Sequence, residues 1–140
     1  MHFNLITIFP ELIQDFVSHG IISNAISENK FSISTWNPRE FSEDKNGRLD
    51  DRPYGGGSGM VLQPEPIIKT VNAIKKENET YVVCMAPHGK VLNQKKLLEL
   101  SKKENLTIIS GRYEGIDNRV EEACVDEVCS VGDYILNGGE

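Results

Sequence analysis

Residues 106–115 read Leu106-Thr107-Ile108-Ile109-Ser110-Gly111-Arg112-Tyr113-Glu114-Gly115. An apolar, β-branched run passes without transition into a glycine-bounded turn. This reads as a strand running into a turn, where glycine supplies the backbone freedom that the turn needs. The pattern recurs twice. Residues 79–86 (Glu-Thr-Tyr-Val-Val-Cys-Met-Ala) run into Ala86-Pro87-His88-Gly89, and residues 125–131 run into a segment holding Gly132, Gly138 and Gly139. Helical spacing lies between these strands. Ile67, Val71 and Ile74 share one face of residues 64–78, residues 93–104 form a helix opened by Asn93, and residues 117–124 form a short one. Strand–helix alternation of this kind specifies an α/β domain with a mostly parallel sheet flanked by helices.

The amino-terminal part extends the same scheme. Residues 2–8 are a strand, Phe9, Leu12, Ile13, Phe16 and Val17 step at helical intervals behind Pro10, and a second short helix follows Gly20. Residues 31–36 alternate as a further strand, which Asn37-Pro38 stops. Residues 37–60 are polar and irregular and end in Arg52-Pro53-Tyr54-Gly55-Gly56-Gly57-Ser58-Gly59-Met60. A loop of that length in a domain is functional or a linker.

Composition excludes several classes. The 140 residues are 39% apolar and 26% charged, with a formal net charge of -6, which suits one soluble domain of residues 1–140 with its own core. No apolar run approaches the roughly 20 residues of a membrane span, and no charged n-region of a signal peptide opens the chain, so a cytoplasmic location without membrane association is expected. Three cysteines, Cys84, Cys124 and Cys129, leave at least one unpaired, and neither they nor His2, His19 and His88 have the spacing of a metal site.

The three glycine turns are the candidate site. In an open α/β sheet ligands bind outside the carboxyl ends of the strands, where three such turns converge. Phosphate-binding readings fail. Gly55-Gly56-Gly57-Ser58-Gly59 lacks the Gly-Lys-Ser/Thr ending of a P-loop, and Leu62 stands where a dinucleotide fingerprint requires glycine. Residues 39–52 carry four basic and five acidic side chains, so no basic patch for RNA is present there.

Five blocks in order carry a resemblance: residues 3–10 (Phe-Asn-Leu-Ile-Thr-Ile-Phe-Pro), Thr35-Trp36-Asn37-Pro38-Arg39, residues 52–60, Gly111-Arg112-Tyr113-Glu114-Gly115-Ile116-Asp117, and residues 130–140 (Ser-Val-Gly-Asp-Tyr-Ile-Leu-Asn-Gly-Gly-Glu). Together they resemble the bacterial tRNA (guanine-N1)-methyltransferases. The resemblance implies a trefoil-knotted SPOUT methyltransferase domain, incomplete at its carboxyl end. It implies an enzyme that methylates N1 of the guanine 3′ of the tRNA anticodon with S-adenosyl-L-methionine, as a homodimer and with Mg2+ during catalysis.

By the same resemblance, the cofactor is held by Cys84, Met85, Ala86, Pro87 and Gly89, by Gly111, Tyr113 and Glu114, and by Ser130, Val131, Gly132, Tyr134, Leu136, Gly138 and Gly139. Arg52, Tyr54, Gly55, Gly56, Gly57, Ser58 and Gly59 belong to the segment that approaches the target base. Glu114 has an alternative role as the cap of the helix that follows it. Ala86-Pro87-His88-Gly89 stands where the family has Ser-Pro-Gln-Gly, so any part played by that serine hydroxyl does not transfer. The family's catalytic aspartate and arginine and its tRNA-gripping domain are expected beyond Glu140, which makes the 140 residues inactive on their own. The alternative function is a non-enzymatic nucleoside- or RNA-binding module that keeps the same pocket.

Overall fold

The computed structural model describes residues 1–140. Its elements are β1 (His2–Ile6), α1 (Pro10–Val17), α2 (Gly20–Ser27), β2 (Ser32–Trp36), a one-turn 3-10 helix (Pro38–Phe41), β3 (Asp50–Asp51), β4 (Val61–Leu62), α3 (Pro64–Glu77), β5 (Tyr81–Val91), α4 (Gln94–Leu100), β6 (Asn105–Ser110), α5 (Arg119–Cys124) and β7 (Glu127–Ser130). Five strands form one sheet in the order β2-β1-β6-β5-β7. Every neighbouring pair in it is parallel, so each strand's carboxyl end lies on the same edge.

The residue-106 strand sits at the centre, between β1 and β5, which is why it lacks polar alternation. Val82 and Ile109 face one core with Ile67, Val71 and Ile74 of α3 and Val120 and Cys124 of α5. Val83, Leu106 and Cys129 face a second, smaller core with Leu100 of α4. Successive strand residues point to opposite faces, so Val82 and Val83 serve different layers. Thr80 and Thr107, both buried, share a 2.9 Å hydroxyl hydrogen bond that offsets their desolvation.

The helix ends follow local chemistry. Pro10 and Pro64 each sit in a first turn, where a missing N–H costs nothing. The Asn93 side chain accepts the Lys96 N–H at 3.0 Å and opens α4, and Lys75 and Lys76 occupy the last turn of α3, next to its free carbonyls. α4 stops at Leu100, short of the residue-104 end expected from sequence, because residues 101–103 close it with tighter turns: Lys102 and Lys103 N–H groups reach back only three residues, to Glu99 and Leu100.

Two further expectations are corrected. Residues 37–60 are not structureless: the 3-10 helix packs near α3, and β3 pairs antiparallel with β4, with Leu49 and Leu62 buried as anchors. More important, Ala86-Pro87-His88-Gly89 does not follow the end of its strand. β5 continues to Val91, and both Met85 and Lys90 align with Cys129, so residues 86–89 are a bulge inside the strand. Pro87 is tolerated because a bulge owes the ladder no N–H. Gly89 lets the chain return, since a Cβ there would lie 2.6 Å from the carbonyl carbon of Cys129.

Candidate functional site

The bulge, the turn after β6 and the segment after β7 occupy one edge of the sheet. Met85 is the last β5 residue paired with β6, opposite Ser110. Beyond it Ala86, Pro87 and His88 stand out from the sheet, and His88 Nε2 lies 2.9 Å from Glu121 Oε1, tying the bulge to α5. Cys84 is buried beneath them, and burial pushes its thiol up to about 12. Burial likewise raises Cys124 and Cys129, so the three free cysteines are inert packing groups.

The turn after β6 is fastened to the glycine-rich segment. The Glu114 N–H donates to the Met60 carbonyl at 2.9 Å, the Leu62 N–H to Gly115 at 2.9 Å, and the Asp117 N–H to Leu62 at 3.1 Å. Tyr113 adopts φ 60°, a left-handed geometry unusual outside glycine and a local strain of order 1–3 kcal/mol. Glu114 runs along Gly59: a Cβ at Gly59 would sit 2.3 Å from Glu114 Cγ and 2.7 Å from Oε1. Glu114 therefore does not cap α5. The N-cap, Asn118, makes no side-chain capping bond, and just before it Asp117 accepts the Arg119 N–H at 3.0 Å and both guanidinium branches at 2.9 Å. The Arg119 hydrogen bond holds the Asp117 carboxyl below the usual carboxylate range.

After β7 the Ser130 hydroxyl donates to the Gly132 carbonyl at 2.9 Å and lies 3.2 Å from the Gly132 N–H, closing a tight turn. The chain then crosses the sheet edge. The Gly139 N–H donates to the Gly111 carbonyl at 3.1 Å, and the position of a Gly139 Cβ lies 3.0 Å from Ser110 Cα, 3.2 Å from Gly111 N and 3.3 Å from Met85 Cβ. Met85, Ser110, Gly111 and Gly139 thus meet, one contribution from each of the three segments. Tyr134, Ile135 and Leu136, on the same segment, are left open to solvent.

Other expected residues are not brought to this point. Arg52, Tyr54, Gly55, Gly56, Gly57 and Ser58 are exposed at the tip of the β3–β4 excursion, and only Gly59 touches one of the three turns, through Glu114. Sequence reading does not single out Thr7, Phe9, Arg112 and Glu140, which the structure brings together beside Gly138. All four fall within the sequence blocks that carry the family resemblance, but no local pattern signals that the Glu140 carboxylate meets Thr7 and Arg112. A surface hollow of about 350 Å³, lined by Tyr81, Lys96, Glu99, Leu100, Lys102, Lys103 and Glu127, lies at the opposite, amino-terminal edge of β5 and β7. There Lys96 is shared between Glu99 at 2.9 Å and Glu127 at 3.0 Å, so its charge is already neutralised.

A family model described as tRNA (Guanine-1)-methyltransferase TrmD matches residues 1–140. The chain belongs to the TrmD family. Among curated relatives, a tRNA (guanine-N(1)-)-methyltransferase of Pseudoalteromonas atlantica is 44% identical over 140 residues, covering 99% of this chain and 53% of the relative. One from Hydrogenovibrio crunogenus is 45% identical over 142 residues, covering 100% of this chain and 60% of the relative. In three dimensions the chain is similar to the crystal structure of tRNA (m1G37) methyltransferase from Aquifex aeolicus, with a TM-score of 0.90 and 44% identity over 99% of this chain and 63% of that one. The chain accordingly spans little more than half the length of the TrmD relatives it matches. The α/β architecture with its mostly parallel sheet is the TrmD fold expected from the sequence blocks. No helix is long and apolar enough to cross a membrane.

Proposed function

We propose that this TrmD-family chain forms the S-adenosyl-L-methionine pocket of an enzyme that methylates N1 of the guanine 3′ of the tRNA anticodon. The observation that carries the reading is the family match over residues 1–140, and the meeting of Met85, Ser110, Gly111 and Gly139 supports it. The residues present fit such a methyl donor. Main chain rather than side chain lines the sheet edge where Gly139 leaves no room for a Cβ. The open Tyr134, Ile135 and Leu136 supply apolar surface for a purine and a thioether to cover.

When bound, the cofactor supplies an electrophilic methyl group on sulfur. The chain's own part is to bind and orient it. The main chain around Met85, Gly111 and Gly138–Gly139, with the Gly139 N–H and the Gly111 carbonyl paired to each other, borders the place for a base and ribose, and the Glu114 carboxylate, beside Gly59, offers a counter-charge to an ammonium or sulfonium. Nucleophilic attack by guanine N1 releases its proton, which needs a base. Asp50, Asp51, Glu114 and Asp133 are the carboxylates near the candidate segments. Asp117 is committed to Arg119, and nothing in the geometry singles out one of the four. No three His, Cys, Asp or Glu side chains are grouped to hold a cation, so the residues present do not form a Mg2+ site. The tRNA substrate, the homodimer and the cytoplasmic location belong to the same proposal.

Calorimetric titration with S-adenosylhomocysteine, using adenosine triphosphate as control, tests the pocket. Saturable binding of the first and none of the second is expected. Absence of S-adenosylhomocysteine binding overturns the proposal that residues 84–139 form the pocket by themselves.

A further inference from the structure

Residue 140 reaches back across the sheet to the first strand. The Thr7 hydroxyl, just past β1, donates to Glu140 Oε1 at 2.7 Å and accepts the Phe9 N–H at 3.0 Å. Arg112, just past β6, grips the same carboxylate through Nε at 3.2 Å and through its NH2 group at 2.9 Å, and places its guanidinium 4.8 Å over the Phe9 ring. Its remaining NH1 group donates to the Asn137 carbonyl at 3.4 Å. The Glu140 side chain is 8% exposed and that of Arg112 22%. Gly138 lies against both, with a Cβ position 2.3 Å from Glu140 Oε2 and 2.4 Å from Arg112 Nε.

We propose that Thr7, Arg112 and Glu140 form a latch that presses the Gly138–Gly139 main chain onto Met85, before the β5 bulge, and onto the end of β6, so that they are positioning residues for the cofactor pocket. The inference rests on the pocket reading above. Residues 131–136 belong to no regular element and all but Gly132 are exposed, so the segment has few other means of holding its course. Every latch contact falls on residues 137 or 140, on either side of the Gly138–Gly139 step. A two-branched guanidinium grip on a carboxylate fixes direction as well as distance, which a lysine in place of Arg112 would not do. The latch also spans β6 and β1, neighbours in the sheet, so the third wall of the pocket is referred to two adjacent strand ends.

Two readouts test it on the chain and on Arg112→Ala, Arg112→Lys and Glu140→Gln. The first is amide hydrogen exchange without ligand. The Gly139 amide is expected to exchange at least about ten-fold faster in the Arg112→Ala and Glu140→Gln variants, while the Val83 and Ile109 amides keep their protection. The second is S-adenosylhomocysteine affinity, expected to weaken about five- to twenty-fold in both variants, with Arg112→Lys intermediate and the double variant no worse than the poorer single one. Unchanged Gly139 exchange overturns the latch whatever the affinities. Faster Gly139 exchange with unchanged affinity overturns its positioning role. If Val83 and Ile109 lose protection in parallel, the cluster is a general stabilising contact and the proposal falls. If the unmutated chain does not bind the ligand, the pocket reading fails first and the positioning role with it.

Discussion

Gly139→Ala adds one methyl group where the three neighbouring atoms are all unable to rotate away. The new Cβ would lie 3.0 Å from Ser110 Cα, 3.2 Å from Gly111 N and 3.3 Å from Met85 Cβ, against an ordinary contact of 3.4 Å or more. The closest neighbour must yield by about 0.4 Å, and overpacking of this kind costs about 1–3 kcal/mol. The alternative is for the segment to lift. That forfeits the Gly139 N–H hydrogen bond to the Gly111 carbonyl, a net loss of about 0.5–1.5 kcal/mol. Lifting is the cheaper route, so a ligand that needs the segment docked must repay the difference, roughly 1 kcal/mol, or about a five-fold loss of S-adenosylhomocysteine affinity. Neither apolar core includes a residue beyond Cys129, so the thermal midpoint is expected to stay within about 2 °C. Calorimetry and a melting curve on the same sample decide it. Wild-type affinity, or a loss of affinity accompanied by a fall in melting temperature of more than about 5 °C, would refute the docking argument. Gly111→Ala meets first the Ile116 side chain, at 3.3 Å, which can turn aside, and is expected to lose less affinity than Gly139→Ala.

Gly89→Ala drives a methyl group to 2.6 Å from the Cys129 carbonyl carbon inside the β5–β7 ladder; a loss of about 1–3 kcal/mol is expected, seen as a melting midpoint lower by roughly 3–10 °C, and an unchanged midpoint would contradict the bulge geometry. The Cys84 thiol, raised by burial to about 12, makes stability fall as pH climbs. The unfolded thiol ionises near its ordinary value while the folded one stays protonated, so stability is whole below about pH 8.5 and is lost between there and pH 12. Urea titrations should show the stability gap between the wild type and Cys84→Ala shrinking by about 1 kcal/mol from pH 9 to pH 10, and a gap independent of pH would count against the burial account.

The order of strands and helices was legible in the sequence because burial on both faces writes itself as runs such as Val82-Val83-Cys84 and Leu106-Thr107-Ile108-Ile109, and amphipathic burial as the Ile67, Val71, Ile74 spacing of α3. The family, too, was carried by local blocks. What the blocks could not show is which parts of the chain touch. The course of β5 through Pro87 looked like a strand end, because proline and glycine signal a turn unless a neighbouring strand takes the chain back, and that neighbour, β7, lies some forty residues downstream. Asp117 rather than Glu114 accepts the first N–H of α5, because the turn at Tyr113 aims Glu114 toward Gly59 instead.

The site divides along the same line. Sequence by itself determined the family and the glycine-bearing segments that follow Met85, Ser110 and Ser130, since those are properties of short stretches. Only the tertiary structure decided that Thr7, Arg112 and Glu140, 105 and 28 residues apart along the chain, share one carboxylate contact. Long-range pairings of this kind are set by sheet order, here β1 beside β6, and sheet order is a consequence of how the layers pack.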